Sequence, residues 1–135
     1  MNSSEPILSS TPENNVQSPR RALVVDDHED SAKALELMLQ TLGYETETAS
    51  NGIDALRKAS SFKPDLFLLD INMPKLDGYE TCGVIRAQPW AQQVRLVAIT
   101  GHEPEELSKK SEKVGFDAWL LKPVDFTDLR RVANL

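Results

Sequence analysis

The sequence has one cysteine, no apolar run long enough to cross a membrane, and no excess of positive charge. Each absence excludes something. With Cys82 alone, no internal disulfide is possible, and a lone cysteine in a helix-like segment reads as a small core residue. Without a membrane span or a basic-then-apolar N-terminus, the expected setting is a soluble, cytoplasmic domain. At a net charge of -6 the chain has no electrostatic reason to sit on DNA, RNA or an anionic membrane. The pairs Arg20-Arg21 and Arg130-Arg131 are too short to argue otherwise. No solenoid-type repeat is visible. What is present is ample for a core: 135 residues, 40% apolar and 27% charged, fit one ordinary domain.

Residues 1–19 are rich in Ser, Asn and Pro and read as a flexible tail or linker; a docking tail using Ile7, Leu8 and Val16 is the alternative. From Arg20 to the end the texture is that of a domain. Ala22 to Val25 reads as a strand, and Asp30 to Leu42 as a helix with Leu35, Met38, Leu39 and Leu42 on one face. Gly43 ends it. Tyr44 to Ala49 alternates like a strand near a sheet edge. Ser50 or Asn51 caps a second helix, with Ile53, Leu56 and Ala59 expected inward, and Pro64 closes it. Leu66 to Asp70 is an apolar strand ending in a carboxylate. A loop with Pro74 and Gly78 leads into a third helix through Ile85, ended by Gln88-Pro89. Leu96 to Thr100 and Asp117 to Leu121 are further strands, with a polar helix at 104–114 between them. Asp125 to Asn134 forms a last short helix. Strand and helix alternate five times, and three strands are apolar throughout. This predicts an α/β fold with a five-stranded parallel sheet covered on both faces.

In such sheets, ligands bind beyond the carboxyl ends of the strands. The first strand delivers Asp26 and Asp27 there, the third Asp70, the fourth Thr100 and the fifth Lys122. The second delivers only Ala49, Ser50 and Asn51. Three clustered carboxylates repel and call for positive charge. An oxygen-only ligand set suits Mg²⁺, with Mn²⁺ as the other ion considered. Lys122 adds a second positive charge and Thr100 a hydroxyl. Together they would stabilise a phosphoryl group in transfer to a carboxylate. On this reading the charges at the end of the first strand face the open sheet edge and are not buried.

The segments VVDDHED, LFLLDINMPKLDGYE, VAITG and LLKPV, in this order and spacing, resemble the response-regulator receiver domain of two-component signalling. The likeness covers residues 20–135 and implies a flavodoxin-like (βα)5 fold. It implies that Asp70 accepts a phosphoryl group from a histidine kinase or histidine phosphotransfer protein. It further implies Asp27 as a direct metal ligand, Asp26 as its neighbour acting through water, and Asn72 as a ligand through its backbone carbonyl. Thr100 matches the hydroxyl that moves onto the phosphoryl group, Lys122 the lysine that pairs with it, and the bond before Pro123 is cis in the family. Phosphorylation would then change the surface made by the fourth helix, fifth strand and fifth helix. Two positions depart from the pattern. Trp119 stands where the family usually has a Tyr, Phe or His switch aromatic, and Gly101 where Ala is commoner. His102 occupies a position that affects phosphoryl lifetime.

Blander readings stand beside these. Asp26 and Asp27 alone could cap a helix, Asp70 could open a turn, and Thr100 and Lys122 could be ordinary strand-end residues. His28 and His102 read as solvated surface histidines, Trp119 as a half-buried anchor, and Lys109, Lys110 and Lys113 as a solvated face. Among rival functions, an aspartate-nucleophile phosphatase needs a second aspartate where Asn72 stands. A nucleotide-binding domain needs glycines where the chain has DDHED. A receiver-like interaction module that signals without phosphorylation fits the acid, threonine and lysine set less well. The chain stops shortly after Lys122, so no effector domain is expected in it; it reads as a stand-alone receiver or one cut from a hybrid kinase.

Overall fold

The computed structural model describes residues 19–73, 77–101 and 115–133. Five strands, β1 (Arg21–Val25), β2 (Glu45–Ala49), β3 (Leu66–Asp70), β4 (Arg95–Thr100) and β5 (Ala118–Leu121), form one sheet in the order β2-β1-β3-β4-β5. Every pairing is parallel. The described helices are α1 (Glu29–Thr41), α2 (Gly52–Phe62), α3 (Gly78–Arg86) and α4 (Phe126–Ala133), with a 3-10 turn at Pro89–Ala91. The polar helix expected at 104–114, Pro74, Asn134 and all of the expected tail but Pro19 lie outside the described residues.

The central strands read as continuous apolar runs because both of their faces are covered. Alternate residues point to opposite sides. Leu23, Val25, Phe67, Leu69, Leu96 and Ala98 pack with Ala55, Ala59, Cys82 and Ile85 from α2 and α3. Ala22, Val24, Leu66, Leu68, Val97 and Ile99 pack with Leu35 and Leu39 of α1 and Leu129 and Val132 of α4. Each fully buried Leu, Ile or Phe contributes about 1.5–3 kcal/mol, so these two layers are the main stabilising term. The Tyr44 hydroxyl and the Arg20 guanidinium both donate to the Ala133 carbonyl and fasten the end of α4 to the sheet.

Local signals act where they were read. Asn51 caps α2 by accepting from the Asp54 N–H, and Gly43 leaves α1 at φ 95°. One expectation is corrected. Ile53 is 59% exposed, while Gly52, Ala55 and Ala59 form the buried face of α2. The helix lies close to the sheet on its small residues, with Leu56 and Phe62 packed at the side, and Ile53 is turned outward.

Candidate functional site

At the carboxyl edge the parallel register aligns the strand ends. Val25 sits beside both Ala49 and Leu69, Asp70 beside Ile99, and Thr100 beside Leu121. The residues that follow β1 and β5 therefore meet those that end β3 and β4. Ligand atoms of Asp26, Asp27, His28 and Asp70 lie within 4.8 Å of one another. The Lys122 ammonium donates to Asp70 Oδ2 at 3.0 Å, and the Asn72 N–H donates to Asp70 Oδ1 at 3.0 Å. The Lys122 N–H donates to the Thr100 carbonyl at 2.7 Å, which sets the lysine against the end of β4. Thr100 is fully buried, and the Lys122–Pro123 bond is cis.

The acid pair is divided by its surroundings. Asp27 is exposed, but Asp26 is only 4% exposed, which corrects the expectation that both face the open edge. The Asp26 N–H donates to the Ala49 carbonyl, drawing this residue in under the start of α1. Its Oδ1 accepts from the His28 N–H at 2.9 Å. Its Oδ2 is buried with no hydrogen-bond partner among the described residues. Burial pushes the Asp26 carboxyl above its ordinary value; the His28 N–H opposes this, the Asp70 charge adds to it, and Lys122 opposes it. Neither aspartate caps α1. The N-cap is His28, whose side chain makes no capping bond.

Two features carry signals that the sequence reading passed over. Asp77 and Glu80 form a reciprocal capping box at the start of α3, legible as Asp-x-x-Glu before a helix. Gly78, next to that cap, donates its N–H to the Ile71 carbonyl at 3.1 Å. A Cβ there would stand 2.7 Å from Ile71 Cα and 2.8 Å from the Asp70 carbonyl oxygen. Only glycine lets α3 begin this close to the backbone that carries Asp70. His28, read as a surface histidine, is indeed exposed, yet its Nδ1 lies 3.2 Å from Asp27 Oδ1 and 3.4 Å from Asp26 Oδ1. Among the described residues, a Cβ on Gly101 would meet nothing within 4 Å, so these residues leave space beside Thr100. Trp119 is half-buried against the core layer that holds Cys82 and Phe116. His102 lies outside the described residues.

Residues 22–134 match the family model of the response regulator receiver domain. PhoP, the alkaline phosphatase synthesis transcriptional regulatory protein of Bacillus subtilis, is 38% identical over 104 residues, which are 77% of this chain and 42% of that protein. The chain thus spans under half of the length of that relative. The Vibrio cholerae chemotaxis protein CheY4 superposes with a TM-score of 0.82 at 30% identity, covering 87% of this chain and 98% of that one. The receiver domain of a sensor histidine kinase from Pseudomonas aeruginosa, solved with a magnesium ion coordinated in its active-site cleft, gives 0.76 at 30% identity, with 85% and 94% covered. Sequence, topology and strand-end chemistry converge, and the chain belongs to the response regulator receiver domains of two-component signalling.

Proposed function

We propose that this receiver takes a phosphoryl group onto Asp70 from the phosphohistidine of a histidine kinase or histidine phosphotransfer protein, in a Mg²⁺-dependent reaction. The contact of Lys122 with Asp70, inside a cluster of acids, is the observation that carries this reading. The Asp26 Oδ2 atom supports a cation there, because a buried carboxylate oxygen without a donor is otherwise unfavourable. Asp26, Asp27, Asp70 and the Asn72 backbone carbonyl would hold the ion, with Asp26 acting through water. When bound, Mg²⁺ offsets negative charge on the transferring phosphoryl oxygens.

The chain's own groups do the rest. The Asn72 N–H and the Lys122 ammonium each hold one oxygen of Asp70, which fixes the carboxylate plane. An Asp70 oxygen forms the new bond to phosphorus as the phosphorus–nitrogen bond to the donor imidazole breaks. The imidazole leaves with that electron pair. Lys122 stays beside the product and pairs with a phosphoryl oxygen. The Thr100 hydroxyl, moving toward the open space by Gly101, donates to another. A cleft of about 340 Å³ runs from Asp26 and Lys122 along Met38, Pro123 and Val124, giving a donor protein an apolar approach to the site. Thr100 and Trp119 form the switch pair in this proposal, and His102 tunes phosphoryl lifetime. The responding surface comprises residues 104–114, β5 and α4.

The test is intact mass after incubation with acetyl phosphate, with and without Mg²⁺, beside Asp70→Asn. A Mg²⁺-dependent phosphoryl adduct that the variant lacks is the expected result. An equal adduct on Asp70→Asn would place the acceptor elsewhere and sink this reading.

A further inference from the structure

The carboxylates and Lys122 account for a Mg²⁺-type site, but they leave His28 without a role. Its backbone is held: it is the N-cap of α1 at φ -100° and ψ 113°, and its N–H is bound to Asp26 Oδ1. From that anchor its Nδ1 reaches 3.2 Å from Asp27 Oδ1 and 3.4 Å from Asp26 Oδ1, within the same cluster as Asp70. These separations suit a direct contact of the ring with either carboxylate, and they bring an imidazole nitrogen into the group of atoms that could hold a cation. Imidazole nitrogen favours Zn²⁺ and its borderline neighbours, whereas carboxylate and water favour Mg²⁺. The buried Asp26 Oδ2, with no hydrogen-bond partner among the described residues, points independently to a cation in this cluster.

We infer that His28 is a fourth, nitrogen ligand of the acidic site and makes it select a borderline divalent ion, with Zn²⁺ as the probe, over Mg²⁺. This rests on the cluster being the divalent-cation site proposed above. An ion held by His28 as well as the carboxylates has one fewer open position for a phosphoryl oxygen. Zn²⁺ occupancy therefore opposes phosphorylation where Mg²⁺ occupancy supports it. The single thiol does not compete for the probe, because Cys82 is fully buried and its ionisation is pushed up to about 12.

The experiment is calorimetric titration of the full chain with Zn²⁺ alone and with Mg²⁺ alone, on the parent, His28→Ala, His102→Ala and Asp27→Asn. Circular dichroism checks the fold of each. His28→Ala is expected to lose about ten- to a hundred-fold in Zn²⁺ affinity while Mg²⁺ affinity stays within about two-fold. Visible absorption of Co²⁺ in the same site should change between the parent and His28→Ala. Unchanged Zn²⁺ binding in His28→Ala would overturn the inference, as would a loss confined to His102→Ala. An equal loss for both ions would overturn it too, by making His28 a support for the carboxylates. Failure of the underlying reading looks different: the parent would not bind Mg²⁺, or Asp27→Asn would bind it as well as the parent.

Discussion

The two edges of this sheet both carry charge, and they treat it in opposite ways. At the amino edge Asp65 and Asp117 are both matched. Asp65 accepts from the Arg21 N–H, and its own N–H donates to the Arg21 carbonyl. Asp117 accepts from the Leu96 N–H and from Arg86. Arg86 also donates to the carbonyls of Ala91, Val94 and Gly115. At the carboxyl edge three carboxylates are clustered, Lys122 bonds only Asp70, and an oxygen of Asp26 has no donor among the described residues. The amino edge is built for the resting molecule, with its polar groups satisfied. Among the described residues, the carboxyl edge is the less compensated of the two.

The contrast can be broken most strongly at Arg86. Arg86→Ala removes the donor to three backbone carbonyls and one of the two donors to Asp117, and should lower stability by about 2–4 kcal/mol. Urea unfolding measures this, and a loss within experimental error would mean the amino edge is not a structural clamp. The opposite sign is expected across the sheet. In EDTA, Asp26→Asn relieves like charge in a buried site and should raise stability by about 1–2 kcal/mol. A destabilised variant would show that the carboxyl edge is as well matched as the amino edge. Cys82, in the core between them, sharpens the comparison least. Its thiol stays neutral in the fold up to about 12, against an ordinary value of 9.0, through burial, with Arg86 opposing and Asp117 adding. Below the ordinary value both states hold the proton. Above it the unfolded chain loses the proton first, so the stability contributed by the neutral thiol fades as pH rises from 9.0 toward about 12. The gap between parent and Cys82→Ala should shrink by about 1 kcal/mol from about pH 8 to about pH 10. A gap independent of pH over that range would argue against a sealed thiol.

How much of this was legible follows from where each signal resides. The apolar runs of β1, β3 and β4 announce themselves, because strands covered on both faces have no polar residues to hide among. Once those strands are aligned in parallel, Asp26, Asp27, Asp70, Thr100 and Lys122 fall at one edge by topology. Asn51 and Gly43 were readable because capping is local. Ile53 was misread because hydrophobicity is a poor guide to the inward face when a helix packs closely through Gly52, Ala55 and Ala59. The depth of Asp26 depends on a bond to Ala49 on another strand, and the Arg86 clamp on the 3-10 turn and on residues just before β4 and β5. Nothing in the neighbouring letters encodes those distances. His28 is the intermediate case: its adjacency to the acids was plain, but the direction of its ring was not.

The pairing of Asp70 with Lys122 joins residues 52 positions apart, and the lysine directly follows β5. During synthesis, a chain that has just emerged through β3 already carries Asp70 but not the lysine that holds it. Two more strands must be made and laid against the sheet edge before the partner of Asp70 arrives. The setting of the Asp70 carboxylate is thereby tied to completion of the domain: a truncated or half-made copy can display Asp70 without the companion that fixes it.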